Sequence, residues 1–294
     1  MPDVVLDLDR LRDIRAQDPG AVAAAASDRR RRELVGSDGR VMLIAADHAA
    51  RNALGVRRDP MAIADRGELL HRLVTALRRP GVDGVLGSPD VLEDLLLLGE
   101  LEDRVAVASM NRGGLQGAVF ELDDRFTACD AATIHRMGWD AGKMLTRIGL
   151  DDPNTAATLE ASARAVSELA ERHLPAMVEP FMSRWADGRL QNDLSTEAVV
   201  RSVGVASALG TTSAWTWLKL PVVAGMEQVM AATTLPTLLL GGDPDVDPDL
   251  TYAAWEQALT LPGVRGLVVG RALLYPPGSD VAAAVDRAVA MVRS

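Results

Sequence analysis

Apolar positions along this chain follow two alternating rhythms. Short unbroken apolar runs are separated by longer stretches in which apolar residues return every three or four positions. An unbroken run suits a strand covered on both faces, and a 3.6-residue period suits a helix lying outside it. The runs predict eight strands, at 41–47, 84–87, 105–110, 141–146, 176–181, 214–220, 237–241 and 266–270. Between and after them, helices are predicted over 61–77, 91–101, 133–138, 154–172, 196–209, 222–233, 249–261 and 279–292. Upstream, 6–15 and 19–34 read as two further helices that stop at the turn Gly36-Ser37-Asp38-Gly39.

Eight strand–helix units in one chain predict an α/β fold, a closed (β/α)8 TIM barrel over residues 41–294, preceded by an N-terminal helical extension over 1–40. An open doubly wound sheet is the rival, but no G-x-G-x-x-G follows the first strand. In a barrel the chemistry sits at the carboxy ends of the strands, so polar residues there carry the most information.

Those ends are polar. Strand one ends in Asp47-His48, strand three runs into Asn111-Arg112, strand four carries Lys143, strand five ends in Glu179-Pro180 and strand six carries Lys219. The two-residue alternation of a strand puts Trp215, Trp217 and Lys219 on one face, and Met177, Glu179 and Phe181 on one face of the strand before. If both faces look inward, two amines and two carboxylates converge on one cavity. The two lysines are the only ones among 31 basic residues, so arginine serves wherever a solvated positive charge suffices. A desolvated lysine beside another cation can lose its proton and attack a carbonyl to form an imine, which arginine cannot do. Lys219 is thus the expected nucleophile, Glu179, in an apolar run, an acid and base with a raised pKa, and Lys143 a group that tunes it or orients a hydroxyl. A snorkelling lysine with its head in water is the plain alternative.

Glycines at the last two strand ends, Gly241-Gly242 and Gly270, would let backbone amides approach an anion, with Arg271 as charge partner. Arg112, Arg184 and Trp217 complete the expected substrate contacts, together with Asp47 and His48.

Composition narrows the field. At 294 residues and 48% hydrophobic, the chain can close one large core, and a net charge of −10 argues against nucleic acid. The one basic run, Arg29 to Arg32, reads as a solvated helix face. The single Cys129 excludes an internal disulfide and suits a reducing compartment, which points to the cytoplasm. No stretch of about 18 apolar residues and no signal peptide is present, so no membrane partner is expected. Of four histidines only His48 stands at a strand end, too few for a histidine-based metal site, and neither metal nor cofactor is expected. Leu95 to Leu98 read as an exposed apolar helix face that favours a homo-oligomer.

The ordered set Ile44-Ala45-Ala46-Asp47-His48, Asp140-Ala141-Gly142-Lys143, Met177-Val178-Glu179-Pro180, Leu218-Lys219-Leu220, 236–242 and 264–271 resembles the class I aldolases of the deoxyribose-phosphate and tagatose-bisphosphate aldolase superfamily, over about residues 40–275. The likeness is strongest to the tagatose-bisphosphate branch, where a strand-four lysine, a strand-five glutamate and an imine-forming strand-six lysine occur together. It implies those roles for Lys143, Glu179 and Lys219, and substrate-hydroxyl contact for Asp47. It also implies a lyase acting on a phosphorylated keto-sugar or deoxy-keto-sugar acid, of which a 2-deoxy-5-keto-gluconate 6-phosphate of inositol breakdown is one example. The first forty residues and the segment 111–130 have no counterpart in that pattern. A phosphosugar-binding barrel without catalysis and a metal-independent sugar-phosphate isomerase are the alternatives.

Overall fold

The computed structural model of the chain describes residues 6–242 and 245–294; the first five residues of the expected extension lie outside them. Eight parallel strands close on themselves: β1 (Val41–Ala46), β2 (Gly84–Gly87), β3 (Val105–Ser109), β4 (Ala141–Ile148), β5 (Ala176–Ala186), β7 (Thr216–Leu220), β8 (Thr237–Leu240) and β9 (Val264–Val269). Each pairs with the next, and β9 pairs back to β1, so the barrel leaves no open edge. All eight match strands predicted from the apolar runs, and the architecture is the (β/α)8 barrel.

One strand was not anticipated. The fifth strand continues past the barrel rim to Ala186, turns at Asp187-Gly188 and returns as β6 (Arg189–Asn192), antiparallel to its own upper half. Asp187 and Gly188 both have positive φ, the backbone that a two-residue hairpin turn requires. That Asp-Gly pair is a readable hairpin signal.

Along the barrel strands, alternate residues point inward. Val41, Leu43 and Ala45 of β1, Val105 and Val107 of β3, Met177 of β5, Leu238 of β8 and Val268 of β9 form one buried cluster that fills the lower barrel. The opposite faces of the same strands pack on the helices α3 (Arg66–Leu77), α4 (Pro89–Leu97), α5 (Ala131–Arg136), α6 (Asn154–Ala170), α7 (Thr196–Ser207), α8 (Met226–Ala231), α9 (Pro248–Leu259) and α11 (Val281–Val292) as a second apolar layer. A one-turn helix, α10 (Arg271–Leu274), caps the exit of β9.

Helices α1 (Leu8–Gln17) and α2 (Ala21–Asp28) precede the barrel. The second ends at Asp28, short of the predicted 34, and the four arginines after it are not a solvated helix face. Arg29 is buried and donates to the Gly138 carbonyl and to Asp140, Arg31 donates to the other oxygen of Asp140, and Arg32 pairs with Asp83. The pairing requires the chain to leave the helix and run under the barrel, where Leu34 and Val35 pack on the interior cluster. Leu95 and Leu96 are buried, and Leu97 and Leu98 pack against the same core. These leucines face the chain's own core, so the observation behind an oligomer contact at this helix falls away. Among the described residues no helix is long and apolar enough to cross a membrane.

Candidate active site

The inward alternation that fills the lower barrel with aliphatics turns polar one step from the top. Asp47 follows Ala45 on β1, Ser109 follows Val107 on β3, Glu179 follows Met177 on β5 and Lys219 follows Trp217 on β7. Lys143 stands opposite Met177 in the β4–β5 register, one inward position below Glu179, so its stem must reach upward. It does so: Lys143 Nζ pairs with Glu179 Oε2, while Lys219 Nζ donates to Glu179 Oε1 at 2.7 Å. One buried carboxylate thus holds both lysines of the chain. Asp47 closes the cluster, its Oδ2 accepting from Ser109 Oγ at 3.1 Å and from Lys143 Nζ at 3.4 Å and pairing with Arg112 Nη2. Arg112 Nε in turn donates to Ser109 Oγ at 3.1 Å.

The two lysines differ in access. A cavity of about 800 Å³ opens above the cluster at the carboxy ends of the strands, lined by Asp47, His48, Arg112, Glu179 and Lys219 among others, with Lys143 sealed beneath it. Burial pulls Lys219 below the ordinary lysine range, against the Glu179 carboxylate, with the Arg112 and Arg51 charges adding to the downward pull. Lys143 lies well below its ordinary value, through burial first and then the Arg112 charge. Glu179 overturns one expectation. Burial pushes its pKa up, but Lys143, Lys219 and Arg112 together hold it well below the usual carboxylate range. An apolar run in the sequence does not make an apolar site when other strands bring three cations to it.

Of the expected substrate contacts, Asp47, His48, Arg112, Gly241, Gly242, Gly270 and Arg271 line the cavity. Arg184 does not: it lies exposed on the β5–β6 hairpin, beyond the barrel rim. Trp217 does not either, because it stands level with Met177 and packs on the interior cluster below the cavity floor. The glycines carry a plainer meaning than anion approach alone. A Cβ at Gly270 would collide with the Ala45 carbonyl, and one at Gly241 would lie 2.7 Å from Val269 Cγ1. Strand contact therefore demands both glycines. Arg271 Nη1 donates to the Gly55 carbonyl at 3.2 Å, which holds its guanidinium at the cavity wall.

The sequence reading passed over a second charged layer. Arg147, two inward positions above Lys143 on β4, binds Asp124 through Nε at 3.0 Å and through Nη2 at 2.5 Å and donates to the Gly114 and Glu121 carbonyls. Asn111 ties the same segment to β4, donating to the Leu145 carbonyl at 2.6 Å and accepting from Leu145 N at 2.7 Å. The segment 111–130, which had no assignable role, is thereby folded into a wall that brings Gln116 and Glu121 to the cavity. Arg51 completes that side, 3.7 Å from Glu121. Continuing the strand-four alternation from Lys143 to Arg147 would have found its anchor. Among the described residues no group of three or more His, Cys, Asp or Glu side chains is placed to hold a metal ion.

Residues 39–289 match the family described as Cgl0159-like. The chain belongs to the Cgl0159-like family. A crystal structure of Cgl0159 from Corynebacterium glutamicum (Brevibacterium flavum) is 55% identical to this family member, with a TM-score of 0.96 over 99% of each chain. An archaeal fructose 1,6-bisphosphate aldolase superposes at a TM-score of 0.66 and 17% identity, over 92% of the Cgl0159-like chain and 99% of its own. A related archaeal structure, with its catalytic lysine covalently bound to the carbinolamine intermediate of the substrate, gives 0.66 at 17% identity over 93% and 100%. No curated protein matches the Cgl0159-like chain in sequence. At that identity the aldolases share its fold and no more; a further neighbour, at a TM-score of 0.66 and 17% identity over 92% of the Cgl0159-like chain and 99% of its own, is described as a Schiff base forming fructose-1,6-bisphosphate aldolase.

Proposed function

We propose that the protein is a class I aldolase, a lyase that cleaves or forms a carbon–carbon bond in a phosphorylated keto-sugar or deoxy-keto-sugar acid through a Schiff base on Lys219. One observation carries the proposal: both lysines of the chain engage one carboxylate, and only Lys219 lines the cavity. Burial together with neighbouring guanidiniums favours the free amine, the form that attacks a ketone. Attack gives a carbinolamine, loss of water gives the protonated imine, and the imine withdraws electrons from the adjacent bond until it breaks to an enamine and an aldehyde. Glu179 steers Lys219 and, with Lys143 on its other oxygen, stays ionised. Asp47 has Oδ2 committed to three protein donors and leaves Oδ1 toward a substrate hydroxyl.

The cavity lining favours an anionic substrate. Among the described residues six cationic side chains face four anionic ones across it, in a chain whose net charge is −10. The lysine-bound carbinolamine of the archaeal aldolase that shares the fold, and the Schiff base forming aldolase beside it, are consistent with this assignment.

The test is borohydride reduction in the presence of dihydroxyacetone phosphate or pyruvate, with mass spectrometry of the intact chain and its peptides. A single adduct at Lys219 is expected. An adduct at Lys143 would move the chemistry to that lysine, and no adduct with any carbonyl probe would leave a binding barrel as the better account.

A further inference from the structure

The proposed chemistry leaves one duty without an owner. Bond cleavage must remove a proton from the substrate hydroxyl and later return one to the enamine carbon, and Glu179 is badly placed for both steps. Its two oxygens already accept from two lysines, and a carboxylate held ionised between cations is a weak base. The two tyrosines of the chain, Tyr252 and Tyr275, do not line the cavity.

His48 does line it. The residue opens the turn Ala49–Arg51 at the top of β1, where its carbonyl accepts from Arg51 N at 3.0 Å and Ala53 N at 3.2 Å, so the backbone beneath the ring is fixed. A Cβ at Gly270 would stand 2.6 Å from His48 Cε1; the glycine leaves the room that the ring occupies. Among the described residues no protein group forms a hydrogen bond with either ring nitrogen, in contrast to the committed oxygens of Glu179. We propose that His48 carries the proton between the substrate hydroxyl and the enamine carbon, and that an anion seated against Arg271 is what brings the ring into use. This deepens the aldolase assignment and rests on it.

The charged groups that face the ring are Arg271 after β9, Lys219 on β7, Glu179 on β5 and Arg51 on its own turn. Burial first, then the Arg271 and Lys219 charges, hold the imidazole well below its ordinary pKa, with Glu179 opposing and Arg51 adding to the fall. The resting ring is therefore neutral and has a lone pair free. Its protonation is disfavoured chiefly by desolvation and by Arg271, and a substrate phosphate beside Arg271 offsets that positive charge. The bound anion moves the ring toward the range in which a base and its conjugate acid both work.

The steps balance. With the protonated imine formed on Lys219, His48 takes the proton of the hydroxyl on the far carbon of the bond to be broken. The freed O–H pair becomes the aldehyde carbonyl, and the carbon–carbon pair moves toward the imine to give the neutral enamine. Once the aldehyde has left, the imidazolium gives its proton to the enamine carbon, and water hydrolyses the imine to release the ketone and restore the amine.

Two measurements on the full chain test this. In His48→Asn, borohydride should still trap dihydroxyacetone phosphate or pyruvate on Lys219, while exchange of the ketone's α-hydrogen with deuterated water should fall by about 100-fold or more. Undiminished exchange in that variant would overturn the assignment while leaving the aldolase intact; failure of trapping in the wild type would instead count against the aldolase. Independently, the His48 imidazole resonance, identified by its absence from His48→Asn, is titrated with and without inorganic phosphate. Its midpoint should move upward with phosphate, and that movement should shrink in Arg271→Gln. A midpoint that ignores phosphate removes the link to the anion whatever the trapping shows.

Discussion

The two ends of this barrel use similar residue types to opposite effect. At the amino end, Asp83 just before β2 and Asp140 just before β4 each reach a neighbouring strand and two arginines. Asp83 accepts from Met42 N at 2.7 Å and pairs with Arg32 and Arg293, and Asp140 accepts from Ala106 N at 2.8 Å and pairs with Arg29 and Arg31. At the carboxy end, Asp47 and Glu179 are again buried carboxylates among cations, but two of those cations are lysines and a cavity opens over them. Arginine at the closed end is a fixed charge with a planar fork, suited to tying strands together. Lysine at the open end is a charge that can be surrendered. Burial of ion pairs is common to both ends; the difference lies in which cation is used and whether solvent can reach it.

The two ends differ most at Lys219. Lys219→Arg keeps the charge and removes the primary amine, so turnover should fall by about 10⁴-fold or more, the scale seen when a covalent nucleophile is lost, and borohydride trapping should vanish. Trapping that survives the change would move the chemistry elsewhere. At the closed end, Asp140→Asn should destabilise the fold by about 3–5 kcal/mol, because Arg29 is left buried beside a neutral partner. Urea unfolding checks the stability, and kcat of the remaining folded enzyme should be close to wild type; a large fall in kcat would mean the two ends are coupled.

Next in size come two opposite shifts of the pH profile. Lys143→Met removes a cation and leaves Glu179 wholly to Lys219, which raises the Lys219 pKa. In the proposed mechanism the free amine attacks, so the acidic limb of kcat/KM should move to higher pH. Glu179→Gln removes the charge that favours the Lys219 ammonium, lowers that pKa and moves the limb to lower pH. Limbs that move the same way in both variants would break the assignment of one shared carboxylate. Smallest of all, Arg184→Ala on the exposed hairpin should leave kcat and KM within about twofold of wild type. A larger loss there would bring the hairpin into the site.

Much of this was legible along the chain. The apolar runs located all eight barrel strands, and the parity of strand residues grouped Glu179 with Met177 and Lys219 with Trp217 on faces that turn out to look inward. Helix ends were less legible: α2 stops at Asp28 because Arg29 has a buried partner 111 residues away, which no local propensity records. Trp217 shares a strand face with Lys219, yet strand register decides that it sits below the cavity floor.

Residue type and the two-residue and 3.6-residue periods carry the repeating strand–helix order, the grouping of strand residues onto shared faces and the use of only two lysines. Which charges meet depends on the folded chain. Glu179 is ionised because β4 and β7 each deliver a lysine to it, Lys143 is sealed because it stands one step lower in the register, and segment 111–130 becomes a cavity wall because Arg147 captures Asp124 across the rim. Electrostatic energies depend on distance and solvent access, and both are set by strands far apart in sequence.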